Sequence, residues 1–273
     1  MSPTLRNTPL PRVCWGERAP EAHEGPSLTP VNASLLPLLF VVGLVVVVLI
    51  GVLAYLAEKK RRELLQGVAA ARGWQYTRRD DAWAHHFDGS PFGHGHNRQA
   101  HNILRGTHDG RDFVGFDFVY HTTETSTDAQ GHTTSREVSH WYSVLALRAV
   151  DGLPRLEVSP EGFFGRALGK LTNRDIELES EEFNRAFTVV SSDRRFAYDI
   201  LHPRLMEQLL LTRDVGWKIE QGWILAVEPG RHDVADMDRR LAVIDGVLDA
   251  VPDFVRQQYG LPPAARTGQE GTA

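Results

Sequence analysis

Nine of the twelve histidines lie between His85 and His140. Imidazole is a good ligand for zinc, nickel or copper, so this density raises metal chemistry first. His94-Gly95-His96 forms an i, i+2 pair and His101 follows closely, which makes these three the candidate metal ligands, with His85, His86 and His108 nearby. A metal site also needs converging geometry and outer hydrogen bonds that fix each ring. The glycines around His94 and His96 predict a solvated loop instead, and His-rich surface loops bind metal adventitiously. A pH-sensitive surface is the other chemistry on offer, because the ring titrates near pH ~6.5.

Carboxylates give the second candidate. Glu177, Glu179, Glu181 and Glu182 fall within six positions, and on a strand Glu177, Glu179 and Glu181 would share one face, with Glu179 and Glu181 the candidates for paired acid/base work. No His, Ser or Lys partner is fixed by spacing. The local account is simpler: Ser180 caps a short helix, the acids favour its N-terminus, and Phe183 and Phe187 anchor it.

Other chemistries find no support. Gly165 to Thr172 looks like a phosphate loop, but only three residues separate its glycines and Leu171 intervenes between Lys170 and Thr172. There is no GxGxxG, GxSxG or HExxH motif. A single cysteine, Cys14, excludes an intramolecular disulfide and a CxxC pair. A net charge of −5 gives no nucleic-acid signal. No cofactor is expected.

The elements that must position these residues begin with a span. From Gly25 to Ala57 there is no Asp, Glu, Lys or Arg. Leu35 to Ala57 would form a helix of ~34 Å, enough for a hydrocarbon core of ~30 Å. It runs directly into Lys59, Lys60, Arg61 and Arg62, whereas the nearest upstream cation is Arg18. The positive-inside rule then predicts a single-pass protein of the cell membrane, with its N-terminus outside and its C-terminal domain cytoplasmic.

Residues 1–34 read as disordered, 35–57 as the transmembrane helix, and 58–72 as a juxtamembrane helix with Leu64, Leu65, Val68 and Ala69 at helical spacing. Residues 73–260 read as a soluble α+β domain with a mainly antiparallel sheet, and 261–273 as a disordered tail. Strands are predicted at 74–77, 102–107, 113–122, 138–150 and 156–158, with Asp109-Gly110 as a hairpin turn and 123–136 as a long flexible loop. A short helix is predicted at 163–171 and strands at 176–178 and 187–190. Helices follow at 193–201 and from Pro203, then a hairpin around Gln221-Gly222, and a long amphipathic helix over 234–251 ended by Pro252.

The succession Gly73-Trp74-x-Tyr76, Pro91-Phe92-Gly93, Gly110-Arg111-x-Phe113 and Phe116-Asp117 continues through Glu179-Ser180-Glu181-x-Phe183-Asn184-Arg185-x-Phe187, Asp193-x-x-Phe196-Ala197 and Leu201-x-Pro203-Arg204-x-Met206. It resembles an uncharacterised bacterial membrane-anchored family akin to the domain of unknown function numbered 3137, over residues 58–256. The resemblance implies an N-terminal anchor and a soluble C-terminal domain, with no activity attached. The leading expectation is a non-catalytic binding or scaffold domain tethered to the lipid bilayer, with a protein partner and no nucleic acid. The alternatives are a membrane-anchored, hydrolase-like enzyme and a His-based metal or pH sensor.

Overall fold

The computed structural model describes residues 35–128, 130–161 and 176–262. The chain divides into two units, Met1–Tyr55 and Leu56–Ala273. Helix α1, Leu35–Ala71, contributes to both. By length and composition it is the one helix among the described residues that can cross a membrane, and its most apolar stretch is exposed throughout. The expectations for 1–34, for the helix at 163–171 and for all but the first residues of the tail lie outside the described residues.

In the second unit the chain continues as β1 (Gln75–Arg79), a single turn at Trp83–His85, β2 (His96–His108), β3 (Arg111–Thr127), β4 (Thr133–Arg148) and β5 (Leu156–Pro160). Then come α2 (Glu181–Ala186), β6 (Phe187–Ser191), α3 (Arg194–Ile200), α4 (Pro203–Leu210), β7 (Trp217–Glu220), β8 (Trp223–Pro229), α5 (Val234–Ala250) and α6 (Asp253–Tyr259). The strands form one eight-stranded sheet in the order β1-β2-β3-β4-β8-β7-β5-β6, antiparallel at every pairing, so the fold is α+β. Two of its tight turns have a clear local cause. Asp109 and Gly110 take φ of 46° and 76°, and Gln221 and Gly222 take 49° and 77°, the left-handed pair that a two-residue hairpin needs.

The sheet is covered on both faces. On the first face Phe113, Leu145, Leu147, Ile219 and Ile224 pack with the helices in one core. On the second, Phe116, Phe118, Val144 and Leu225 lie in a core with Trp83, Phe87 and Phe92 from the segment between β1 and β2. Alternation along each strand assigns the faces, since successive side chains point opposite ways.

The start of the second unit is the C-terminal part of α1. Leu65 and Ala69 are fully buried in the first core, Val68 packs against it, and Leu64 is exposed. Three of the four expected stripe residues therefore face inward. Gly73, at φ +67°, ends the helical path, and Trp74 then packs against Phe113 with ring centroids 4.2 Å apart.

Several expectations need correction. The predicted loop at 123–136 is mostly strand: β3 and β4 pair as far as Thr127↔Thr133, closed by a turn in which Asp128 Oδ1 accepts from Gln130 N and His132 N. Its polar threonines are β-branched, and that stiffness favours a strand over the loop that polarity alone suggests. β2 starts at His96 rather than near Asn102, so part of the supposed His loop is ladder. Residues 176–178 form no strand; Ile176 N bonds Val189 O at 2.9 Å. Pro252 ends α5 but also opens α6, as proline at a helix start can.

Neighbouring leucines test the helix phase. Leu65→Ala should destabilise the detergent-solubilised chain by about 2–5 kcal/mol, and Leu64→Ala by less than about 0.5 kcal/mol. Urea unfolding followed by tryptophan fluorescence measures both; equal losses would mean that α1 does not pack by this face.

Candidate functional site

Of the carboxylates singled out by sequence, Glu182 pairs with Arg213. Glu179 and Glu181 are exposed, and neither carboxylate bonds a His, Ser or Lys among the described residues. Ser180 instead caps α2, accepting from Phe183 N at 3.2 Å. The phosphate-loop look-alike lies outside the described residues.

The three candidate histidines occupy separate settings. His94 faces Tyr120 at 6.2 Å between ring centroids, His96 Nε2 lies 3.3 Å from Glu137 Oε1, and His101 lies 3.1 Å from Gln99 Oε1 beside Trp141. Among the described residues, the group with three ligand atoms within 4.8 Å of one another is Asp109, Asp245 and Asp249. Arg111 donates to both Asp245 and Asp249, so a guanidinium already occupies part of that group and ties the β2–β3 turn to α5.

The strongest polar centre is one that sequence reading passed over. Asp117 is fully buried in the middle of β3, on the face shared with α1 and α5. Arg61 Nη2 donates to both its oxygens, at 2.8 and 2.6 Å. Asn102 Nδ2 donates at 2.8 Å, and the backbone N–H of His232 donates at 2.8 Å. Tyr76 in turn donates to Asn102 Oδ1 at 2.7 Å. Asn102 sits at an irregularity of the β2–β3 register with φ +51°, a conformation asparagine tolerates, and a bulge of this kind re-aims a side chain. Four elements thus converge on one carboxylate: α1, β2, β3 and the loop before α5.

The field around Asp117 is strongly perturbed. Burial raises its pKa, but His232, Arg61 and Asn102 outweigh burial and hold it below the usual carboxylate range. His232 is buried beside the Phe116 backbone, and neither ring nitrogen makes a hydrogen bond of good geometry among the described residues. Burial pushes its pKa down to about 4, with Arg240 and Arg61 adding to the effect against Asp117. Arg240 from α5 reaches across the strands and donates to Ser143 Oγ at 2.7 Å and Ala226 O at 2.7 Å, while its Nε lies 3.4 Å from Glu228 Oε1. Burial raises the Glu228 pKa despite that neighbour.

A second clamp lies on the other face of the sheet. Lys218 Nζ donates to Glu220 Oε2 at 2.6 Å and to Ser90 O at 2.9 Å. Glu220 Oε1 accepts from Asp88 N at 2.9 Å and Gly89 N at 2.6 Å. A Cβ on Gly89 would lie 2.5 Å from Arg155 Nη2 and 2.7 Å from Glu220 Oε2, so a larger residue would have to displace those side-chain ends. Burial lowers the Lys218 pKa against the pull of Glu220, while Lys218 brings Glu220 below its usual range despite burial. The pair fixes the segment that covers the second core.

The four cations that follow the span also separate. Lys59 and Lys60 are exposed and Arg62 is half-buried, whereas Arg61 turns inward to Asp117. Elsewhere, α4 and α5 border a groove of about 680 Å³.

Residues 156–220 match the family described as Protein of unknown function (DUF3137), which bears out over that stretch the resemblance drawn from the sequence blocks. A crystal structure of the mycobacterial trehalose monomycolate transport factor A, TtfA, is similar at 16% identity and a TM-score of 0.48, covering 71% of this chain and 95% of that one. No curated protein matches the chain.

Two measurements follow from the Asp117 centre. Arg61→Ala leaves a fully buried carboxylate without its cation and should cost about 3–5 kcal/mol, much of it recovered when Asp117→Asn is added; additive losses in this double-mutant cycle would refute the coupling. The second is a pH profile. The His232 pKa is lowered on folding, so the unfolded chain binds the extra proton, and stability falls as pH drops from the usual 6.5 towards about 4. The loss should approach about 3 kcal/mol at roughly 1.4 kcal/mol per pH unit. His86 and His101 shift the same way through partial burial, so the comparison is between the parent and His232→Gln. An unchanged acid limb in that variant would rule out His232 as its main source.

Proposed function

We propose that this chain is a single-pass membrane protein of the cell membrane whose second unit lies in the cytoplasm and acts as a non-catalytic binding or scaffold module, in contact with the bilayer and a protein partner. The observation that carries the reading is the use made of the buried charges. Arg61 with Asp117, the Lys218–Glu220 pair with the backbone of residues 88–90, and Arg240 with β4 and β8 each join separate elements of the fold. Most of their hydrogen bonds hold the unit together, although Arg61 Nη1 and Arg240 Nε have no hydrogen-bond partner among the described residues; turnover needs such groups aimed at a reacting atom. The second support is α1, whose segment beyond the apolar span supplies Leu65, Ala69 and Arg61 to the unit's core and polar centre. A domain built around the end of its anchor helix suits work at a membrane. The cations Lys59, Lys60, Arg61 and Arg62 support the orientation.

The only cysteine, Cys14, makes the orientation directly measurable. A membrane-impermeant maleimide added to intact cells should label Cys14. In a Cys14→Ser chain carrying Leu211→Cys, at a position 86% exposed, labelling should require permeabilisation. The reverse pattern would invert the topology. The binding role is probed by photo-crosslinkers placed singly at exposed Gln208, Leu211, Phe254 and Arg136 in native membranes. Reproducible adducts with another polypeptide are expected from at least one of them, and silence at all four would remove the binding role.

A further inference from the structure

The β3–β4 ladder outlasts its neighbours. β2 stops pairing with β3 at His96↔His121, and β8 stops pairing with β4 at Tyr142↔Pro229. From Thr122↔Val138 to Thr127↔Thr133 the two strands continue alone. Both edges of this ribbon are unpaired among the described residues, and residues 123–127 and 133–137 are exposed. A two-stranded ribbon on its own is marginally stable in water. Its open edges also present backbone groups that need partners.

The direction of the ribbon follows from contacts inside the second unit. Trp74, just past the end of α1, packs on Phe113, and Arg61 reaches Asp117. Glu58 pairs with Arg231, whose guanidinium sits 3.8 Å over the Trp141 ring, and Trp141 is the register partner of Val119. Falling numbers along α1 thus match rising numbers along β3. From Val119 the strand continues to Thr127, up to about 26 Å at ~3.3 Å per residue. Glu58, at the level of Val119, is one residue from Ala57, where the apolar span ends. The ribbon therefore projects past Ala57, on the side from which α1 arrives.

The two faces of the ribbon differ. Alternation puts Thr123, Thr125, Thr127, Thr133 and Ser135 on the same face as Asp117 and Phe113, the face that meets α1. Thr125 and Ser135 hydroxyls lie 3.4 Å apart there, as do those of Thr127 and Thr133. Glu137 is the one charged side chain of the ribbon on that face, and it lies 3.3 Å from His96. Glu124 and Arg136 point the opposite way. Hydroxyls both donate and accept, which suits the phosphate and ester oxygens of lipid headgroups. Hydrocarbon is closed to the ribbon, because its open edges could not be satisfied there. A protein partner is a poorer match: residues 122–139 contain no Trp, Tyr or Phe to anchor one.

We propose that the β3–β4 ribbon lies against the phospholipid headgroup layer next to the point where α1 enters the bilayer, with its hydroxyl face towards the lipid. This rests on the reading of α1 as the membrane span and names the part of the second unit that meets the bilayer. The charged residues of the ribbon and its turn are three acids, Glu124, Asp128 and Glu137, against one base, Arg136. Attraction to anionic lipid is therefore not the cause of the contact. The tether supplies proximity, and the hydroxyls and open edges supply the hydrogen bonds.

The test uses the full chain with Cys14→Ser, reconstituted into phosphatidylcholine vesicles, and one new cysteine carrying an environment-sensitive fluorophore. Thr125→Cys and Ser135→Cys sample the hydroxyl face, and Arg136→Cys samples the opposite one. A nitroxide on the lipid headgroup should quench most of the fluorescence at positions 125 and 135 and leave most of it at position 136. A nitroxide deep in the acyl chain should quench little at any of the three. Gly51→Cys, at an open position in the apolar stretch of α1, is the control for the span, and the acyl-chain nitroxide should quench it strongly. With that control quenched, three results would each overturn the proposal and leave the span standing. They are no headgroup quenching at 125 and 135, equal quenching at 136, and stronger quenching from the acyl chain than from the headgroup. An unquenched probe at position 51 would remove the span reading, and the proposal with it.

Discussion

A carboxylate buried in the middle of a sheet is tolerable only when cations and donors surround it, and Asp117 sets that requirement here. Its desolvation would disfavour the charged form unless Arg61, Asn102 and the His232 backbone were all in place. The constraint reaches outward. Arg61 must come from a helix whose phase also buries Leu65 and Ala69, four and eight residues on. Asn102 must be turned inward by the irregularity in β2. The loop ahead of α5 must bring its N–H to within 2.8 Å. A buried ion pair of this kind is a poor source of net stability compared with apolar packing. It is a strong source of register, because any other arrangement leaves a charge unpaired.

The same logic explains why both faces of one sheet can be covered. The first face carries helices, which bring their own apolar stripes. The second is covered mainly by a segment with only one short turn of helix, and such a segment exposes backbone groups that need partners. Glu220 meets that need by accepting the N–H groups of Asp88 and Gly89, and Lys218 by donating to Ser90 O. The two clamps are therefore different solutions. One joins a helix to a strand through side chains, and the other joins irregular backbone to a strand through a Lys–Glu pair. Each uses up the charge it employs.

The local rules were legible in the sequence wherever one residue dictates one geometry. Asp109-Gly110 and Gln221-Gly222 demand left-handed turns, Ser180 and Pro203 open helices, and Gly73 closes one. Composition misled where chemistry and shape disagree: the threonines of 122–127 and 133–134 are polar like a loop and β-branched like a strand, and pairing decided for the strand. The candidate site was harder to read. Nothing local distinguishes Arg61 from Lys59, Lys60 and Arg62. The usable signal was non-local: an acid between Phe116 and Phe118 in a strand with apolar neighbours, and a cation four residues before Leu65 on the helix's inner face. The histidines drew attention by number, and number carries no geometry; the one at the polar centre, His232, stands outside their cluster.

The inward turn of Arg61 bears on the orientation argument, which relied on four cations after the span. With Arg61 engaged by Asp117, Lys59, Lys60 and Arg62 remain. Glu58 would subtract from them, but its carboxylate pairs with Arg231 at 2.6 Å, and acidic residues weigh little in this rule. Upstream the nearest cation is still Arg18. Three against none within one turn or two of the span preserves the asymmetry on which the proposed topology rests. Arg61 also counts twice in time. In an unfolded chain it would stand as a fourth cation beside the span, and in the folded unit it is paired with Asp117. A residue chosen for burial can thus still act in orientation, because insertion reads the unfolded chain and stability reads the folded one.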